Sequence, residues 1–427
     1  MKKGLRVNIM SIIKPAARLQ RVTGNSFLEM THLKAAAYLN GQLKHDLSHG
    51  VPDIPPPRDL LDKLQVYCRN EGNHNRLTFT RPSKTLASSI DQYVHMLCPG
   101  AIQEYGTVMS AGSKEIIFHI SLALLDHGDV VLIPEIAYPY YRSAAEMAGA
   151  RVLTYPLEPE SYLPMLDAIG PGVLQRAKLL WLTNPHNPTG TVISEPQLWE
   201  LTRFCQAHDI VMCHDMVYRS IVFDNHTAPS ILGCKGAYTN LIEIHSFSKV
   251  LSIAGWRVAL TLGDPKLIES IQRSLFLSSN GLFLVLQHAL RYALLHFDEL
   301  AAQITARYAR RVNDFAEALE RNGLTYHRPQ GAYYFWMPVP SGFTDLAFVK
   351  ALLESTGILV FPGSAFGPAG RDFFRVSLVR PSSVLVKAAK AMATCHLSRA
   401  NHYLARRKTI SEEPMLDEIL QCPRASL

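Results

Sequence analysis

The sequence predicts an α/β fold with a largely parallel central sheet and a second, smaller lobe, and three observations carry that expectation. Between about residues 84 and 262, helical patterns alternate with short apolar runs at Val130–Ile133, Leu179–Leu182, Ile210–Cys213, Leu241–Ile244 and Val258–Leu262. Polar or glycine-containing motifs follow several of these runs directly, and open α/β sheets bind ligands beyond the carboxyl ends of their strands. After a long helix the texture then changes to β-rich pieces, which marks the second lobe.

Taken in order, residues 15–50 carry a helical pattern in Phe27, Met30, Leu33, Ala37 and Leu39, and they end in Gly50-Val51-Pro52-Asp53. His45 and His49 lie four apart, a spacing that suits a metal on a helix, but the pair runs into Gly50 and Pro52 and reads as ordinary polar residues. The run Pro55-Pro56-Pro57 forces an irregular segment before a helix starts near Arg58. Beyond the alternating region, Leu300, Ile304, Tyr308, Val312, Phe315 and Leu319 recur at helical spacing and stop at Asn322-Gly323. The β-rich pieces are Tyr333–Met337, Ile358–Phe361 and Phe373–Leu378, followed by a helix from about Ser382 to Ser398. The expected organisation is an N-terminal arm and part of the small domain over 1–60, a large domain over 61–310, a small domain over 311–398 and a flexible tail over 399–427.

Composition narrows the function classes. With 427 residues, 48% hydrophobic and 19% charged, the chain has the makings of a large buried core. Its net charge of +7 is spread along the sequence with no basic and aromatic stripe, so a nucleic-acid partner is not called for. Seven scattered cysteines, without C-x-x-C or zinc spacing, read as reduced thiols in a cytoplasmic protein and give no metal site. The N-terminal MKKGLRVNIMSIIK lacks a cleavage site, and Leu282–Leu290 is too short to span a bilayer, so neither secretion nor a membrane is expected.

The chemistry concentrates around Ser246-Phe247-Ser248-Lys249 and Gly255-Trp256-Arg257. Lysine can condense its amine with an aldehyde, and a cationic setting lowers its pKa so that free amine exists at neutral pH. Arg257 can fork onto a phosphate while Ser246 and Ser248 add hydroxyls, a combination that asks for pyridoxal phosphate. Ser110-Ala111-Gly112-Ser113-Lys114 feeds a helix start, whose unpaired amides and positive dipole end make an anion cup; alone it would be an ordinary capped helix. Asp215 ends an apolar strand with Tyr218 three residues on. It can pair with a protonated pyridine nitrogen while Tyr218 donates to the ring oxygen, although a helix cap or salt bridge would explain an isolated Asp. Asn184-Pro185-His186-Asn187-Pro188-Thr189-Gly190 holds Asn187 toward the same oxygen, and Tyr138 offers a flat face for stacking. Arg375 lies inside an apolar strand and needs a carboxylate, either the substrate's or an internal Asp or Glu.

These motifs, with Gly331-Ala332-Tyr333 and Pro362-Gly363-Ser364, stand in an order that resembles the class I/II aminotransferases, fold type I pyridoxal-phosphate enzymes, over roughly residues 15–400. The resemblance implies a large domain with a mostly parallel seven-stranded sheet, a smaller α/β domain and a homodimer with active sites at the interface. It implies Lys249 as the Schiff-base lysine and proton carrier. Gly112, Ser113, Lys114, Ser246, Ser248 and Arg257 would hold the phosphate, and Tyr138, Asn187, Asp215 and Tyr218 the ring. Arg375, Asn187 and the Gly50 amide would bind the substrate carboxylate. The implied reaction moves an amino group between an L-amino acid and a 2-oxo acid.

Two departures stand out. The family's cross-subunit tyrosine is missing from Leu77-Thr78-Phe79-Thr80-Arg81-Pro82, which leaves Thr78, Thr80 or Arg81 to substitute, and Ala259 replaces a common glycine. The first departure motivates an alternative, a lyase or cyclase working by elimination or ring closure. A third reading, the effector-sensing half of a transcription regulator, expects a DNA-binding domain that the about fourteen residues ahead of the family region leave no room for.

Overall fold

The computed structural model describes residues 16–21, 26–100, 104–234 and 239–406. The N-terminal MKKGLRVNIMSIIK and the tail beyond Arg406 lie outside them. Twelve strands run in chain order as β1 His45–Asp46, β2 Gly106–Ser110, β3 Val130–Pro134, β4 Arg151–Tyr155, β5 Ala177–Thr183, β6 Val211–Asp215, β7 Leu241–Ser246, β8 Ala259–Gly263, β9 Tyr334–Pro338, β10 Ile358–Leu359, β11 Phe361–Pro362 and β12 Phe373–Ser377.

Seven of them form the central sheet in the order β2-β8-β7-β6-β5-β3-β4. Pairing is parallel except along β8, which runs against both of its neighbours. The middle strands are buried throughout β3, β7 and β8 and nearly so in β5 and β6, which is why they read as unbroken apolar runs. The two strands absent from the sequence reading, β2 and β4, are the sheet's edges; β4 leaves Arg151, Leu153 and Thr154 exposed.

The helix Phe297–Arg321 buries the whole stripe Leu300, Ile304, Tyr308, Val312, Phe315 and Leu319, each apolar side chain worth roughly 1.5–3 kcal/mol. It ends at Asn322, with Gly323 at φ 64° turning the chain away. This helix packs on Ser382–Arg406, which continues past the expected end at Ser398. Beside them stands an antiparallel three-stranded sheet, β11-β12-β9, and β1 pairs in parallel with β10, so the N-terminal segment joins the C-terminal lobe. His45 lies in β1 rather than on a helix with His49, and among the described residues no cluster of His, Cys, Asp and Glu could hold a metal.

One buried polar network fastens the sheet beneath the strand ends. Glu243, fully buried in β7, accepts from His214 Nδ1 on β6 (3.0 Å), His245 Nε2 (2.7 Å), the Ser230 hydroxyl (2.6 Å) and the Ile231 amide (2.7 Å). His245 reaches on to Tyr93 Oη at 3.1 Å. Burial alone would raise the Glu243 pKa, but the hydrogen bonds from His214 and His245 outweigh it and hold the carboxyl well below its ordinary 4.5. A depressed carboxylate contributes fully above its unfolded value and loses that contribution as pH falls below it. Glu243→Ala should therefore cost about 3–5 kcal/mol at pH 7 by urea unfolding, because it strands buried partners. Glu269→Ala on an exposed helix should stay within about 0.5 kcal/mol. A Glu243→Ala loss as small as that would show the network to be dispensable.

Candidate active site

The parallel strands deliver their carboxyl ends to one cavity. It is lined by residues from four regions: His49, Gly50 and Val51; Ser113, Tyr138 and Tyr141; Thr183, Asn187, Asp215, Val217 and Tyr218; and Lys249, Tyr334 and Arg375. Eight of the fourteen are residues singled out from the sequence.

Asp215 is the last residue of β6 and is 3% exposed. Tyr141 donates to its Oδ2 at 2.7 Å and the Val217 amide to its Oδ1 at 3.3 Å. Tyr141 also meets the Thr183 hydroxyl at 2.7 Å and stacks on Trp181, centroids 4.5 Å apart and 7° from parallel. Burial pushes the Asp215 carboxyl up to about 6, against the pull of Tyr141, Val217 and the nearby His214. Among the described residues no base forms an ion pair with it.

Lys249 sits in the short helix Phe247–Val250 directly after β7. Its Nζ donates to the carbonyl of Gly50, which also accepts from Tyr333 Oη at 3.0 Å. Gly50 thus turns its carbonyl to the lysine, where the sequence assigned its amide a role. Burial, then the charges of Arg375 and Arg257, lower the Lys249 pKa to about 7. The sequence attributed that shift to cationic neighbours alone, whereas desolvation is the larger cause.

Arg375, in β12, is 1% exposed and has no carboxylate within ion-pair distance among the described residues. Nη1 donates to Asn187 Oδ1 at 2.8 Å and Nη2 to the Ser48 carbonyl at 2.6 Å, while Nε has no partner. Among the described residues no internal Asp or Glu explains this arginine otherwise. Asn187 is aimed by its loop. Asn184 exchanges hydrogen bonds with the Ile193 backbone at 3.0 and 3.1 Å, and His186 joins Thr189 (2.8 Å) to the Ile136 carbonyl (3.0 Å). Both Asn-Pro bonds are cis.

The phosphate candidates gather beside the cavity. Gly112, at φ 90°, precedes the helix Ser113–Leu124, and a Cβ there would collide with the Arg257 guanidinium. Arg257 itself holds a left-handed backbone, φ 57° and ψ 61°, with Nη1 on the Ala254 carbonyl at 3.1 Å. Ser246 Oγ is buried without a hydrogen-bond partner, and Ser248 is buried nearby in sequence. The Lys114 side chain turns outward, its ammonium 3.6 Å from the Tyr140 ring centroid, so only its backbone is available to the cup. Tyr138 meets Tyr141 edge-on at 5.6 Å.

The segment that lacks the family's tyrosine is committed within the subunit. Thr78 donates to the Leu282 carbonyl at 2.5 Å, and Arg81 Nε to Gln272 at 2.6 Å, while Gln272 reaches Thr80 at 3.4 Å. Phe79 is 69% exposed. Sequence reasoning missed Tyr141, Thr183, Val217, Tyr334, His49 and Val51. The first of these had a signal in the spacing, three residues after Tyr138 on the same helix entry.

A carboxyl raised from 3.8 to about 6 favours folding below 3.8 and loses that advantage as pH rises through 6. At pH 8 the buried Asp215 charge costs the cofactor-free protein about 3 kcal/mol. Asp215→Asn keeps an acceptor for Tyr141. It should melt above the wild type at pH 8 and level with it near pH 4, by calorimetry on cofactor-free protein; no gain at pH 8 would show the charge to be unstrained.

Comparison with known proteins gives the same direction as the geometry. Residues 44–392 match the model of the family Aminotransferase class I and II. An LL-diaminopimelate aminotransferase from Dehalococcoides mccartyi is 32% identical over 383 residues, spanning 89% of this chain and 98% of the relative. One from Gloeobacter violaceus is 33% identical over the same shares. The solved structure of a probable N-succinyldiaminopimelate aminotransferase from Thermus thermophilus shares a TM-score of 0.81 at 30% identity, covering 87% of this chain and all of that one. The chain belongs to the class I and II aminotransferases and is a pyridoxal-phosphate-dependent enzyme that transfers an amino group between an amino acid and a 2-oxo acid.

Proposed function

We propose that Lys249 carries the cofactor and moves the proton between the substrate Cα and the cofactor's C4′. The observation that supports this is its amine, part-buried, free of any carboxylate partner among the described residues and lowered to about 7, so that it can both take and return a proton near neutrality. The fit of the cofactor rests on groups gathered in and beside the cavity, of which the Ser246 hydroxyl is buried without a partner. The Ser246 hydroxyl, the Ser113 and Lys114 amides, Ser248 and Arg257 beside Gly112 suit a phosphate. Asp215 suits a protonated ring nitrogen, which removes the cost of its buried charge; Tyr138 stacks, and Tyr218 and Asn187 donate to the ring oxygen. Bound there, pyridoxal phosphate supplies a cationic ring that takes up the electrons released when Cα loses its proton. Arg375 receives the substrate carboxylate, with Asn187 holding one arm of its fork and Gly50 closing the wall.

The names of the relatives put LL-diaminopimelate first among amino donors to assay. Wild-type enzyme loaded with cofactor is mixed with a panel of amino acids, that one included, without any oxo acid and beside Lys249→Ala. One donor should convert the cofactor stoichiometrically to its amine form with release of the matching 2-oxo acid, and Lys249→Ala should lose at least about 10³-fold in rate. Ammonia or a ring product without a 2-oxo acid would replace transfer by elimination or cyclisation.

We also propose a cytoplasmic homodimer, divided into the arm, large domain, small domain and tail set out from the sequence. Support for the dimer comes from Leu77, Phe79, Phe276, Leu277 and Phe283, exposed on two segments that Thr78 ties together. Support for a reducing compartment comes from the six described cysteines, all free. Among the described residues no helix is long and apolar enough to cross a membrane. Sedimentation should give twice the chain's 47.6 kDa, and Leu277→Asp, at a position 87% exposed within one subunit, should shift it toward monomer. A wild-type monomer would remove the dimer.

A further inference from the structure

Tyr334 opens β9, two residues along from Trp336, which faces Arg375 across the β9–β12 pairing, so Tyr334 and Arg375 share one face of the small sheet. The guanidinium carbon lies 4.2 Å from the Tyr334 ring centroid. At its other end the Tyr334 hydroxyl shares a 2.5 Å hydrogen bond with Tyr218 Oη, the two rings meeting edge-on at 80°. Gly50 backs onto that hydroxyl so closely that a Cβ at this position would overlap it. One buried side chain therefore touches the residue assigned to the substrate carboxylate and the residue assigned to the cofactor's ring oxygen, on a path separate from the Asn187–Arg375 bond.

We propose that Tyr334 is a positioning residue that couples these two ends: its ring holds the Arg375 fork in plane, and its hydroxyl donates to Tyr218. The proposal rests on the roles given above to Arg375 and Tyr218. A phenol has one proton. When Tyr218 gives its own to the ring oxygen, the contact to Tyr334 survives as a hydrogen bond only with Tyr334 as donor, and a chain of such bonds strengthens the donor at its end. The stack on Arg375 acts in a desolvated pocket, where a cation over an aromatic face is worth most.

The test uses loaded enzyme and two readouts other than turnover: the pH midpoint of the cofactor's visible absorption, and the affinity for acetate, the smallest carboxylate, followed through the same absorption. Weaker donation to the ring oxygen favours its protonated form, so the midpoint moves up. Tyr218→Phe should raise it, and Tyr334→Phe should raise it by about half a unit, as one neutral hydrogen bond predicts. Tyr334→Phe keeps the ring, and its acetate affinity should stay within about twofold of wild type. Tyr334→Leu removes the stack, and acetate binding should weaken about tenfold. A Tyr334→Phe midpoint equal to wild type while Tyr218→Phe moves overturns the hydroxyl link alone. A silent Tyr218→Phe overturns it together with the role given to Tyr218. Acetate bound equally well by Tyr334→Leu overturns the stacking link.

Discussion

Lys249, Arg375 and Asp215 sit inside the subunit with no ion-pair partner among the described residues, and the rest of the site follows from how that is tolerated. An ion taken out of water costs several kcal/mol unless it is paired. Each group meets the cost in its own way. Lys249 gives up its proton more easily, Asp215 holds its proton longer, and Arg375 spreads itself over neutral acceptors and the faces of Tyr334, Phe361 and Phe366. On the proposed reading a carboxylate would match Arg375 and a ring cation Asp215, while a phosphate would lie beside Arg257. The folded chain is then a mould of the opposite charge, and its stability should rise when those ligands bind.

Such a mould needs a frame that does not collapse around it. The frame shows in adjacent residues of one strand. His214 pairs in register with Glu243 and enters the network behind the sheet through Nδ1, while Asp215, next along β6, reaches the strand end with only Tyr141 and the Val217 amide to hold it. Alternation along the strand separates a residue that ties the sheet together from a carboxyl that faces the cavity. The Glu243 carboxylate has four donors and is depressed; the Asp215 carboxylate has two and is raised. The same residue class on neighbouring strands is therefore driven in opposite directions by the number of donors around it.

What could be read from the sequence follows from the same physics. Strands buried on both faces are unbroken apolar runs and were visible; β2 and β4 are edges, both only partly buried, and their residues carry no such signature. Asp215 stood out because an acid that ends an apolar strand is anomalous, Arg375 because it lies inside one, and Lys249 and Asn187 because of the serines and the prolines around them. Tyr334 carried no such signal, and Tyr141 only its spacing from Tyr138, because a tyrosine is ordinary core until its hydroxyl is seen to find Asp215, 74 residues away, or Tyr218, 116 away. The direction of the Gly50 peptide was equally hidden, since sequence does not tell a carbonyl turned inward from an amide.

That peptide belongs to a stretch with no regular structure of its own, and its order comes from the site. The Ser48 carbonyl accepts from Arg375, the Gly50 carbonyl from Lys249 and Tyr333, and the Ile54 carbonyl from the Ser252 hydroxyl, while Asp53 pairs with Arg311 at 2.6 and 2.9 Å. Arg311 in turn holds the Leu378 carbonyl, three residues past Arg375. The wall over the cavity is thus fastened by backbone acceptors to the two cations proposed to take substrate and cofactor. Fixing the backbone of such a stretch costs on the order of 1–2 kcal/mol per residue, so its order depends on those bonds. Any ligand that draws Lys249 or Arg375 toward itself competes with the wall for the same donors, and the ties from Tyr333, Ser252 and Arg311 remain to keep the wall in place while it does so.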